Sequence, residues 1–184
     1  MPAPGAPSQR RSLRFETIDA AVADAQHLVD AERAGRLTSC GNWTLGQAIG
    51  HLATWANFAF DGYPDAVRAP LPVRLILRMM RNRILNHGMM AGVKVGRVPG
   101  GTLGLDVLPA DEAISRYRAA MERLRAAAPT IDNPAFGRLT HEQWIQLNLR
   151  HAELHLSFHR DAGGGGDAAG AARQQQQQRE GSPT

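Results

Sequence analysis

The chain has 184 residues, 43% hydrophobic and 21% charged; that is room for one domain with a sizeable core, and it excludes a disordered or fibrous polymer. The single cysteine, Cys40, excludes an internal disulfide or a cysteine-built zinc cluster and carries no mark of an oxidising compartment, so a cytoplasmic location is expected. The formal charge of +4 comes mostly from scattered arginines and no apolar run nears the ~20 residues of a membrane span, so neither a nucleic-acid nor a membrane partner is expected.

Residues 1–12 are rich in Pro, Ala and Arg without periodicity, and residues 161–184 run through GGGGDAAGAA into QQQQQ. Both are expected to be disordered tails, because they lack the apolar side chains that offset ordering entropy. Residues 13–160 are expected to form the folded domain.

Within it the apolar period is helical. Ile18, Val22, Ala25 and Val29 mark a first helix that Thr17 caps. After the break GRLTSCGNW, Thr44 and Gln47 form the T-x-x-Q capping-box pattern, with Trp43 and Ala48 at staple positions, and a second helix is expected from Thr44 to about Asp61. The turn-rich DGYPDAVRAPLP leads to a third, basic amphipathic helix with Val73, Ile76, Leu77, Met80 and Ile84 interleaved with Arg74, Arg78 and Arg81. The glycine-rich stretch from His87 to Pro109 reads as a long loop over a pocket. Pro109, Asp111 and Glu112 open a fourth helix, whose face is Ala113, Ile114, Tyr117, Met121 and Leu124. Thr140 and Gln143 repeat the capping box after PTIDNPAFG, with Leu139 and Trp144 as a staple, and the fifth helix is expected to run to about Arg160. The fold class is therefore all-α: a four-helix bundle with an accessory helix, a long glycine-rich loop and no sheet.

Among the seven histidines, spacing separates three. His151 and His155 lie four apart on the fifth helix, about 40° apart around its axis, on the same face as Trp144, Leu147 and Phe158. Two imidazoles on an apolar face need a partner that apolar neighbours do not supply, and a metal satisfies both. His51, at the edge of the apolar arc of the second helix, is the candidate third ligand, leaving open positions for water or substrate. Glu153 falls about 200° from His151 and is expected on the outer face, so the helix is not a zincin motif. His159 is expected to be frayed and solvated at the helix end, and His27, His87 and His141 have no partner at metal spacing.

Taken in order, W-T-L-G-Q-x-x-x-H-L from Trp43 to Leu52, then D-N-P-A-F-G-x-L-T-x-x-x-W, then H-x-x-x-H resemble the DinB-like (DinB/YfiT) superfamily. The likeness is to a bacterial branch of unknown function marked by F-G-x-L-T-x-x-x-W before the histidine helix, and it covers roughly residues 12 to 160. It implies an up-down-down-up four-helix bundle with one ligand from the second helix and two from the last, matching His51, His151 and His155. It also implies zinc, nickel, iron or manganese as the divalent metal, a low-molecular-weight thiol as a possible co-substrate, and homodimers among relatives. Leu154 and Asn133 stand where that branch often has histidine.

The expected function is a metal-dependent transferase or hydrolase acting on a small molecule, with a non-catalytic metal-binding or small-molecule-binding bundle as the alternative. No general base and no catalytic residue beyond the three ligands emerges from the sequence. Cys40 reads as an inert loop thiol, Gln47 as a cap, and Trp43, Trp55 and Trp144 as packing or pocket walls.

Overall fold

The computed structural model describes residues 10–67, 70–92, 102 and 104–163. Of the tails expected at 1–12 and 161–184, residues 1–9 and 164–184 lie outside the described residues, as do residues 93–101 and 103 of the glycine-rich loop. Within the described part Arg11 is bonded to Asp24 and Ser157, and Asp161 ends a strand. In chain order the elements are α1 (Ile18–Arg33), β1 (Leu37–Ser39), α2 (Leu45–Asp61), a 3-10 turn (Asp65–Val67), α3 (Leu71–His87), α4 (Ala110–Ala126), α5 (His141–Leu156) and β2 (His159–Asp161).

The starts of these helices follow the sequence signals. The Thr17 hydroxyl accepts from Ala20 N, and both Thr44 and Thr140 form complete capping boxes with Gln47 and Gln143. Two expectations are corrected. α5 stops at Leu156 rather than about Arg160, and the chain then forms β2, which pairs antiparallel with β1 in the register Leu37↔Asp161, Thr38↔Arg160, Ser39↔His159. Strands of three residues are too short to show an alternating pattern, so the helical period before them masks them.

Contacts at the helix ends give the direction of each helix. Arg33 at the end of α1 pairs with Asp111 at the start of α4, and Asp19 at the start of α1 pairs with Arg125 at the end of α4, so these two are antiparallel. α2 runs parallel to α4: Gly46 lies against Leu108 and Ala110 at one end, and Asp61 pairs with Arg123 at 2.8 Å at the other. The His141 Nε2 lies 2.6 Å from the carbonyl of Leu124, which sets the start of α5 beside the end of α4 and makes them antiparallel. The bundle α1, α2, α4, α5 is therefore up-down-down-up, as expected.

Small residues let α2 and α4 approach closely. A Cβ on Gly46 would fall well inside contact distance of the Leu108 carbonyl oxygen and 3.3 Å from Ala110 N. Around that seam Leu28, Leu45, Ile49, Leu52, Met121 and Leu124 close the core, each worth about 1.5–3 kcal/mol of burial. α3 stands outside the bundle, packs on α5 and buries Leu85 alone.

Charge also holds the core, at the chain's N-terminal approach. The Arg11 guanidinium makes two bonds to Asp24, at 2.8 and 2.7 Å, and the Arg11 N–H donates to the Ser157 carbonyl. Further along, the Phe15 N–H donates to Glu153 Oε1 at 2.6 Å, Arg150 donates to the Phe15 carbonyl, and Arg150 and Glu153 pair at 3.0 Å. Glu153 is thus buried, not on the outer face: the side of α5 turned away from the histidines is covered by residues 10–15, a contact that helical periodicity does not reveal. Burial raises its carboxyl above the ordinary glutamate value, against the opposing pull of the Phe15 N–H.

Candidate metal centre

Antiparallel packing brings the first turns of α2 beside the last turns of α5, where the sequence-predicted trio meets. His51 Nε2 lies 3.2 Å from His151 Nε2, and His155 Nε2 lies 3.0 Å from the same atom. All three donor nitrogens fall within 4.8 Å of one another. Ligands about 2.0–2.1 Å from a tetrahedral ion stand roughly 3.3 Å apart, close to the two shorter separations. His51 is buried and His151 and His155 are half-buried, so the cluster keeps one side toward solvent.

The electrostatics suit a cation held by neutral imidazoles. Burial, then the charges of His155 and His51, push His151 well below the ordinary histidine value. Burial, then His51 and Arg10, push His155 down to about 3. Neutral rings present lone pairs, but each carries only one N–H, so facing nitrogens 3.0 and 3.2 Å apart cannot all be satisfied by one another. A cation at their meeting point accepts all three. Among the described residues no carboxylate or thiol joins the group.

The small sheet finishes this end of the bundle. The Cys40 N–H donates to the Phe158 carbonyl at 2.9 Å, and Gly41 lies so close to the Phe158 ring that a Cβ would stand 3.2 Å from it. The strap from Ser39 to Thr44 is thereby fixed across the end of α5 and sets Trp43 flat on His155, ring centroids 4.8 Å apart at 11°. On the other side Trp55 lies 5.6 Å from His51 and 6.0 Å from His151, and its aromatic wall continues through Phe58 and Tyr63. Trp43 and Trp55 therefore flank the trio, whereas Trp144 is core.

Tyr63 links the wall to the D-N-P-A-F-G segment. Asn133 Nδ2 donates to the Tyr63 hydroxyl at 3.4 Å, while Asn133 Oδ1 accepts from Ala135 N and Phe136 N. The turn is closed by reciprocal bonds between the Asn133 and Gly137 backbones, with Gly137 at φ 72°, a conformation that favours glycine. Burial raises the Tyr63 hydroxyl far above the ordinary tyrosine value, so it stays protonated.

The remaining histidines fall elsewhere, with one surprise. His159 is 1% exposed, not solvated: it belongs to β2, and its Nδ1 lies 2.7 Å from Ser39 Oγ. Burial, then the charge of Arg11, push it down to about 4. The i, i+4 step from His155 was the signal available for this position, but without the strand nothing showed that it turns inward. His27 is exposed 3.4 Å from Asp161, His87 is exposed at the end of α3, and His141 bonds the Leu124 carbonyl. Gln47 keeps its cap and its Nε2 donates to the Leu105 carbonyl at 3.4 Å.

A family model described as "Protein of unknown function (DUF1569)" matches residues 7–162. No curated protein and no solved structure matches the chain.

Proposed function

The chain belongs to the DUF1569 family, and from the site it carries we propose a metal-dependent enzyme of the DinB-like type, a transferase or hydrolase acting on a small molecule. The observation that carries this reading is the convergence of three imidazole nitrogens from α2 and α5 at one half-open point. The up-down-down-up order of the bundle, with one histidine from the second helix and two from the last, supports the DinB-like relationship.

His51, His151 and His155 would hold the ion. Bound there, zinc, nickel, iron or manganese supplies Lewis acidity that brings a water or a low-molecular-weight thiol to its nucleophilic form near neutral pH. Trp43 holds the His155 ring in plane, and with Trp55 it excludes water from two sides. A small electrophile enters between the tryptophans, over the exposed edges of His151 and His155.

The absence of a carboxylate from the trio among the described residues favours a second reading, a bundle that binds metal or a small molecule without turnover. Elemental analysis of tag-free protein tests the site: one transition-metal equivalent, lost in His51→Ala, His151→Ala and His155→Ala, is expected. No metal even after reconstitution refutes both readings. For metal-loaded protein, thiol or electrophile consumption abolished in His155→Ala separates the enzyme from the binder.

A further inference from the structure

We propose that α3 is a membrane-surface element that lays its apolar arc on an anionic lipid bilayer. Five large hydrophobic residues of this helix stand in solvent: Leu71 at 75% exposure, Val73 at 44%, Leu75 at 63%, Ile76 at 56% and Met79 at 80%. Leu71, Leu75 and Met79 are spaced i, i+4, i+8 and form one row, with Ile76 beside it. The opposite side, through Met80, Ile84 and Leu85, is turned toward the protein. The helix thus has apolar residues on two sides, and the bundle covers one.

Its charge is one-sided as well. From Leu71 to His87 there are four arginines, Arg74, Arg78, Arg81 and Arg83, and no acidic residue. Arginines of the bundle pair with acids: Arg11 with Asp24, Arg33 with Asp30 and Asp111, Arg123 with Asp61, Arg125 with Asp19. Among the described residues none of the α3 arginines forms an ion pair. The positive charge that looked scattered along the sequence is largely neutralised in the bundle and left uncompensated on α3.

An occupant of this surface has to be apolar and anionic together. A second copy of the chain would set arginine against arginine across the contact. A folded acidic partner would have to bring a groove to receive α3, whose exposed arc is apolar. A bilayer carrying anionic headgroups needs no groove: it takes up Leu71, Leu75, Ile76 and Met79 at the acyl boundary and meets the exposed Arg83 on the same arc at headgroup level. Arg78 lies exposed against Gly137, Arg74 is half-buried, and the half-buried Arg81 donates to the Arg138 carbonyl, all three adding positive charge from behind the arc. A 17-residue helix is about 25 Å long, enough to lie in the interface and not to cross it. No helix among the described residues is long and apolar enough to cross a membrane. Surface association departs from the sequence expectation of no membrane partner.

Flotation of tag-free full-length protein with vesicles tests this, comparing pure phosphatidylcholine with phosphatidylcholine containing 30% phosphatidylglycerol. Binding is expected to the anionic vesicles only, weakened by 0.5 M salt. Leu75→Ser/Met79→Ser should weaken it by at least about tenfold, and Arg83→Glu should also weaken it. Both variants change exposed side chains, and thermal unfolding should match the parent. Equal binding to neutral vesicles, unchanged binding by the folded Leu75→Ser/Met79→Ser variant, or no binding at low salt overturns the proposal. So does a concentration-dependent dimer that the same variant abolishes, or polyglutamate binding that displaces no protein from lipid yet needs Leu75 and Met79.

Discussion

Replacing Glu153 with alanine should cost about 3–5 kcal/mol of folding stability. In the parent its carboxylate lies 3.0 Å from the Arg150 guanidinium, which is 1% exposed, and 2.6 Å from the Phe15 N–H. Removal leaves a buried cation without its counter-ion and a buried amide without its acceptor, the latter alone worth about 1–3 kcal/mol. Burial raises the Glu153 carboxyl, and the desolvation of two buried charges opposes their attraction, so a buried pair as such is weak evidence of stability. Breaking it is what costs. Urea unfolding followed by circular dichroism reads this directly: with a slope near 2 kcal/mol/M the midpoint should fall by about 2 M. Glu153→Gln, which keeps an oxygen for Phe15, should lose roughly half as much and leave metal stoichiometry unchanged. In a cycle with Arg150→Met the two sites should couple by more than about 1 kcal/mol. A loss below about 1 kcal/mol for Glu153→Ala, the range of an exposed pair, would refute the buried clamp.

Gly46→Ala should destabilise by about 1–3 kcal/mol, although alanine favours helices, because its methyl meets the Leu108 backbone; a gain in melting temperature would contradict the close α2–α4 contact. Trp43→Ala removes no ligand but frees the His155 ring, and metal affinity by competitive chelator titration should fall about 10–100-fold; parental affinity would leave the stack without a role. His159, held at about 4 against about 6.5 unfolded, makes the unfolded chain bind more protons between those values. Its contribution to stability is full above pH 6.5 and is lost as pH falls toward 4, up to roughly 3 kcal/mol. In chelator, the stability of His159→Gln should therefore fall less steeply than the parent's over that window, and identical slopes would exclude the buried, neutral assignment.

The legible part of this protein is the part that repeats or caps. Helix existence followed from period, and Thr17, Thr44 and Thr140 marked starts to the residue, because each cap is a local bond between neighbours in sequence. The histidine trio was legible for a related reason: two members share one helix face, and the third sits on a helix whose apolar arc has to meet it. What the sequence concealed lies in pairings over more than a hundred residues, such as Phe15 with Glu153 and Ser39 with His159. Neither has a periodic signature, and each pulls a polar residue inward against its composition.

α5 shows why the two kinds of information divide along one helix. Its face through Trp144, Asn148, His151 and His155 looks into the bundle, and its other side, through Arg150, Glu153 and Ser157, grips residues 10–15. A helix committed on both sides cannot turn to suit either. Rotation that opened the trio would pull Glu153 from the Phe15 amide and draw the buried Arg150 guanidinium away from its carboxylate, and the β1–β2 pairing just beyond Leu156 resists the same motion. The donor nitrogens of His51, His151 and His155 stand within 4.8 Å of one another, and the orientation of α5 that brings two of them there is held by polar contacts that touch none of the three rings.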